Sequence, residues 1–149
     1  MPVIEWLKSI ADLPADWWRG RRVLLRLDLD VPINPAGQVE NGFRLDRCLP
    51  TINYLRQAGA QIIIIGHLGR AGKSLEPVAS YFRTHFPVPL LAAINDAASH
   101  RLGDGEVLML ENLRRQPSEE VNDHEFTKTL AALAEYYVNE AFAASHRPH

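Results

Sequence analysis

The chain has a single cysteine, Cys48, among its 149 residues. No internal disulfide can brace it, and a reducing compartment, the cytoplasm, is its simplest setting. It also lacks a basic N-terminal region followed by an apolar run. No apolar stretch approaches the roughly 20 residues that span a bilayer, so no membrane partner is expected. Nor is there an excess of positive charge: 16 Lys and Arg against 18 Asp and Glu leave a formal net charge of -2. That offers no broad cationic surface for nucleic acid. No internal repeat, low-complexity tract or linker rich in Pro, Gly and Ser divides the sequence, and residues 1–149 read as one domain.

Lysine is scarce as well. Of the 16 basic residues, 13 are Arg and 3 are Lys. The guanidinium is a planar fork suited to carboxylate and phosphate, whereas an ammonium acts as a point charge, so the positions of these arginines matter. The content of 46% hydrophobic residues is enough for one sizeable core in a domain of this length.

Residues 23–29 (VLLRLDL) and 61–65 (QIIII) are short, apolar and rich enough in β-branched side chains to read as buried strands. Residues 106–110 (EVLML) and 136–139 (YYVN) are two further strands, and 88–91 (VPLL) is a weaker one. Helical patterns lie between them at 44–58, closed by Gly59, at 75–86, and at 123–135 with Asn122 as cap, and a shorter helix is expected over 93–100. Strands and helices alternating at this spacing predict the α/β class: a doubly wound, mostly parallel, Rossmann-like sheet with helices on both faces.

In such sheets ligands bind beyond the carboxyl ends of the strands. Asp28 and Asp30 follow the first strand, and Gly66-His67-Leu68-Gly69-Arg70 follows the second. Glu111-Asn112-Leu113-Arg114 comes after 106–110, and Asn139-Glu140 and then His146-Arg147-Pro148-His149 come after the last strand. The loops entering the strands, around Trp17-Trp18-Arg19-Gly20, Gly59-Ala60 and Gly103-Asp104-Gly105, read as ordinary turns. Polar chemistry thus gathers on one edge of the sheet, where His67, Arg70, Arg114 and Arg147 would suit a small phosphorylated or carboxylated ligand.

The same segments resemble the signature blocks of the phosphoglycerate kinase family. Arg26-Leu27-Asp28-Leu29-Asp30-Val31-Pro32 resembles R-V-D-F-N-V-P, and Gly66-His67-Leu68-Gly69-Arg70 resembles S-H-L-G-R-P. Residues 106–114 resemble E-V-L-L-L-E-N-L-R, and residues 137–149 resemble Y-V-N-D-A-F-G-x-x-H-R-x-H. The resemblance implies a 3-phosphoglycerate or 1,3-bisphosphoglycerate site at Asp28, Asp30, Arg44, His67, Leu68, Gly69, Arg70, Arg114 and Arg147, with Arg44 stabilising the transferring phosphoryl group as the catalytic residue. It implies a glycolytic transferase that moves a phosphoryl group between 1,3-bisphosphoglycerate and ADP, acting as a monomer, with Mg2+ accompanying ATP or ADP in the full-length enzyme. The family chain is more than twice as long, and its nucleotide-binding C-terminal domain has no counterpart here. This chain is therefore expected to be the substrate-binding N-terminal domain, inactive alone and binding neither nucleotide nor metal. It departs from the family pattern at Asp30 for Asn, Ala71 for Pro, Glu140 for Asp, Ala143 for Gly, and at Gly42-Phe43, where more polar residues are usual.

Other chemistries compete for the same residues. Gly66 to Gly72-Lys73-Ser74 evokes a P-loop, but five residues stand where the motif has four, which would displace the amides that cradle a phosphate. Asp28-Leu29-Asp30 evokes an aspartate-nucleophile phosphatase, but Gly66-His67 stands where a hydroxyl is needed. An EF-hand fails on Pro32 and on the spacing of Gly and Glu. A non-catalytic domain that binds a phospholigand without turnover remains the alternative of a different class.

Overall fold

The computed structural model describes residues 10, 13–69, 73–92, 94–112 and 124–140. Five strands, β1 (Arg22–Arg26), β2 (Gln61–Ile65), β3 (Leu90–Leu91), β4 (Val107–Leu110) and β5 (Tyr136–Asn139), form one sheet in the order β3-β4-β2-β1-β5. Every pairing is parallel. Parallel neighbours need a crossover between them, and the crossovers described here carry helices α1 (Phe43–Asp46), α2 (Leu49–Gln57), α3 (Glu76–Phe82), α4 (Ile94–Ser99) and α5 (His124–Ala131). The α/β, doubly wound architecture is as the sequence predicts.

Alternation along each strand sorts its side chains between two cores. Val23, Leu25, Ile62, Ile64, Val107 and Met109 pack on one face with Leu45, Ile52, Leu55, Val78 and Phe82 from α1, α2 and α3. Leu24, Ile63, Ile65, Leu108 and Leu110 pack on the other with Ala97 of α4 and Leu133 just past α5. Because both faces are covered at the centre of the sheet, the inner strands β1, β2 and β4 read as continuous apolar runs rather than as alternating ones. Among the described residues no helix is long and apolar enough to cross a membrane.

Three local expectations are corrected. The first strand ends at Arg26 rather than 29, since its neighbour β2 ends at Ile65, the partner of Arg26; the Leu27 N–H still donates to Ile65 O at 3.0 Å. The helix expected over 44–58 is two helices separated by Arg47 and Cys48. Pro50, in the first turn of α2, has no N–H to extend a helix begun at Phe43 and disfavours helical geometry just before it. Gly59 ends α2 as anticipated, at φ 83°, with Ala60 N–H donating to Leu55 O and Gly59 N–H to Arg56 O. The third correction is Trp18, which lies in a 3-10 turn (Ala15–Trp18) and is wholly buried in the larger core instead of lining a surface turn. Its indole N–H donates to Ile10 O at 3.2 Å, so the ring is buried without orphaning its polar atom.

The register sets the site. Arg26 pairs with Ile65 on one side and Asn139 on the other, and Leu91 pairs with Leu110. The strands therefore end level, and the segments that leave them emerge side by side along one edge.

Candidate functional site

Asp28 and Asp30 leave the end of β1 while Leu27, Leu29 and Val31 between and beside them stay in the core. This alternation carries the strand geometry past the last paired residue and sets both carboxylates on the side away from the core. Arg44, in α1, reaches back to them. Its Nη1 lies 3.4 Å from Asp28 Oδ2 and donates to the backbone O of Asp30 at 2.9 Å. Asp28 Oδ1 also accepts the N–H of Asp30 at 3.4 Å. These contacts of Arg44, among the described residues, all pass through Nη1. Its side chain is 54% exposed, so the rest of the fork faces the cleft and can take an anionic partner.

The start of α1 is built for this. Asn41 Oδ1 accepts the N–H of Phe43 at 3.0 Å, satisfying one of the free amides of the first turn. Gly42 lies against Tyr81, whose ring would be struck by any added Cβ. The Tyr81 hydroxyl donates to Asp46 Oδ1, which pins the far end of the same short helix. Arg44, Phe43 and Asn41 together with Asp30, Val31 and Pro32 line a cleft of about 510 Å³. Phe43 is 67% exposed.

The segment after β2 completes this edge. Gly66 is needed where β2 passes the chain leaving β1: a Cβ there would lie 2.7 Å from Leu29 Cδ1. His67 is half-buried. Leu68 turns its side chain into the core, so only its backbone can serve the cleft. Gly69, at φ 68°, donates its N–H to Asp30 Oδ1 at 3.2 Å. Asp28, Asp30, Arg44 and Gly69 are thus brought into one hydrogen-bonded group, and His67 leaves β2 beside it. Asn139 ends β5 in register with Arg26. Arg70, Arg114 and Arg147 lie outside the described residues.

Asn41, Glu111 and Asn112 carry no assigned role in the expectations from sequence, yet each organises this edge. Asn112 is the one fully buried polar residue among those described. Its Nδ2 donates to Leu68 O at 2.7 Å and also to Lys73 O. Glu111 accepts from Ser74 Oγ at 2.8 Å and from Leu75 N–H at 2.6 Å. The signal for Asn112 was a polar residue immediately after an apolar strand. The P-loop alternative fails here, because the Glu111 carboxylate occupies the entrance to α3 where such a loop would hold phosphate.

The local field is mixed. Burial pushes the Cys48 thiol up to about 12, and the nearby carboxylates of Glu140 and Asp28 add to the rise while Arg47 opposes it. Tyr137 is also raised, by burial, against the lowering effect of Arg26 and of its hydrogen bond to that side chain. Among the described residues no three His, Cys, Asp or Glu side chains converge as a metal centre requires.

A model of the phosphoglycerate kinase family matches residues 10–149. The chain belongs to the phosphoglycerate kinase family. A phosphoglycerate kinase of Desulforudis audaxviator is 44% identical over 142 residues, which cover 87% of this chain and 36% of that protein. One from Herpetosiphon aurantiacus is 41% identical over 144 residues, 89% of this chain and 36% of the relative. Among solved structures, the phosphoglycerate kinase of Coxiella burnetii superposes with a TM-score of 0.80 at 32% identity, covering 91% of this chain and 35% of that one. The chain spans about a third of the length of these phosphoglycerate kinases and corresponds to their N-terminal portion.

Proposed function

We propose that this chain is the triose-binding portion of a phosphoglycerate kinase and that it binds 3-phosphoglycerate, or the triose end of 1,3-bisphosphoglycerate, at the level strand ends. The observation that carries this is Arg44. Its guanidinium is fixed by Asp28 and the backbone of Asp30 with more than half of its side chain open to the cleft. A small polyanionic ligand needs fixed cationic donors, and a fork already ordered by the protein loses less freedom when it binds.

In the whole enzyme the reaction breaks the bond between the acyl oxygen and phosphorus of 1,3-bisphosphoglycerate and forms one to a terminal oxygen of ADP. This leaves the carboxylate of 3-phosphoglycerate and gives ATP. Charge spreads over the transferring phosphoryl oxygens, and Arg44 is the described residue suited to stabilise it. Asp28 is suited to accept a hydrogen bond from a substrate hydroxyl. His67, Gly69 and the arginines Arg70, Arg114 and Arg147 would orient the triose. Magnesium, which neutralises nucleotide phosphates, would enter with ATP or ADP on residues other than those described. Glycolysis in the cytoplasm, by a monomeric transferase, is the setting this reading carries with it.

Calorimetric titration tests it. The 149-residue chain should bind 3-phosphoglycerate weakly, because closure against a nucleotide-binding domain is lacking. Arg44→Ala should abolish the heat, and neither ADP nor ATP should bind. A saturable response to ATP with none to 3-phosphoglycerate would refute the proposal.

A further inference from the structure

We propose that Glu111 and Asn112 are positioning residues that clasp the two described ends of the loop after β2, residues 66–69 and 73–75, in their ligand-binding placement. The proposal rests on the reading of that loop as part of the triose site. The two residues are adjacent at the end of β4, the neighbour of β2 in the sheet, and they hold both sides of the loop. On the outgoing side, Asn112 Nδ2 donates to Leu68 O. On the returning side it donates to Lys73 O, while the Glu111 carboxylate accepts from Ser74 Oγ and from the N–H of Leu75. Asp30 braces the loop from the opposite neighbour, β1, by accepting the N–H of Gly69. The loop is therefore tied to the strand on either side of the one it leaves.

A clasp of this kind acts through geometry. Asn112 is fully buried, so its two N–H donors meet carbonyl oxygens that have little access to water. Loss of the donors would leave those acceptors unpaired. Glu111 offers Oε2 to the Ser74 hydroxyl and Oε1 to two backbone amides, those of Leu75 and Asn112, and so ties the end of β4 to the start of α3. His67 and Gly69 sit on the clasped segment, and their placement relative to Arg44 follows from it. Neither Glu111 nor Asn112 is needed to touch the ligand; each acts through the backbone it holds.

The test is 3-phosphoglycerate affinity set against melting temperature in E111A and E111Q, with I63V as control. Ile63 lies in the smaller core on the far face of the sheet, and its truncation lowers stability without touching the loop. E111A should weaken binding at least about tenfold, the scale expected when a binding group is misplaced. E111Q, which keeps one oxygen acceptor, should fall between E111A and the parent chain, and I63V should lower the melting temperature with its affinity unchanged. Parent-like affinity in E111A, or equal weakening in I63V, would overturn the clasp. If E111A does not fold, E111Q decides: intermediate affinity supports the proposal and parent-like affinity rejects it. If the parent chain itself shows no affinity for 3-phosphoglycerate, the functional reading fails and the clasp is judged by hydrogen exchange at the Gly69 amide. Faster exchange in E111Q with unchanged core amides supports it, and unchanged exchange at Gly69 overturns it.

Discussion

Gly66→Ala adds one carbon where the end of β2 approaches the chain leaving β1. A Cβ at this position would lie 2.7 Å from Leu29 Cδ1, 2.8 Å from Leu29 Cγ and 2.9 Å from the backbone O of Leu27. Leu29 is 1% exposed and packed in the larger core, and the Leu27 carbonyl belongs to the backbone. Relief to ordinary contact, beyond 3.4 Å, requires the end of β2 and the chain leaving β1 to part by about half an ångström to clear the carbonyl, and Leu29 to give by a little more. That movement stretches the Leu27 N–H···O Ile65 hydrogen bond. Overpacking of this kind costs about 1–3 kcal/mol. The stiffer unfolded chain of the alanine variant offsets about 0.4–1 kcal/mol. The net expectation is a loss of roughly 1–2 kcal/mol, or about 2–8 °C in melting temperature for a chain of this size. Asp28 lies between the two leucines and orients Arg44, so affinity for 3-phosphoglycerate should fall as well. Urea unfolding and calorimetric titration of the same preparation measure both effects. Gly37→Ala is the control: it carries φ 80° with nothing within 4 Å of an added Cβ, so it should cost about 1 kcal/mol through backbone conformation and leave affinity intact. A G66A protein as stable as the parent would refute the close-contact argument.

Asp30→Asn should tighten binding of 3-phosphoglycerate by about 1 kcal/mol, since an amide oxygen can still accept the Gly69 N–H and no longer repels an anion; unchanged or weaker binding by calorimetry rejects this. Arg44→Lys should bind more weakly than the parent, because an ammonium cannot hold Asp28 and the Asp30 carbonyl while presenting a fork to the ligand; equal affinity would remove Arg44 from the site. The Cys48 thiol, at about 12 in the fold against 9.0 as its ordinary value, should react with a thiol reagent at pH 8 only at the rate of unfolding, and rapid labelling of folded protein contradicts its burial. Because the unfolded thiol ionises first, its contribution to stability is intact below about pH 9 and declines from there toward 12, which alkaline urea titrations of the parent and Cys48→Ala can compare.

Burial on both faces made the inner strand Gln61–Ile65 legible as an unmistakable apolar run; Tyr136–Asn139, a half-exposed edge strand, was legible instead from its short run of aromatic and β-branched residues, and the observed limits of both coincide with those expected. The common edge was legible too, since the polar residues directly follow those runs. The division of the helix at Arg47–Cys48 was less so, for the apolar spacing continues across Pro50 and hides the missing N–H. Burial of Trp18 depends on a partner at Ile10 and on the underside of the sheet, which no local pattern reveals. The pairing of Arg44 with Asp28 spans 16 residues, and that of Glu111 with Leu75 spans 36. Contacts of this separation are set by the strand order, so the roles of Glu111 and Asn112 emerge only once β4 is placed beside β2.

Amide chemical-shift mapping of the 149-residue chain during titration with 3-phosphoglycerate would locate the triose site residue by residue. Shifts should concentrate at Asp28–Val31, Phe43–Arg44 and Gly66–Gly69, with the turn at Gly103–Gly105 on the opposite edge silent, and ATP should perturb none of them. Silence toward 3-phosphoglycerate accompanied by ATP-dependent shifts at Lys73 and Ser74, or triose-dependent shifts confined to the Gly103–Gly105 edge, would contradict that site.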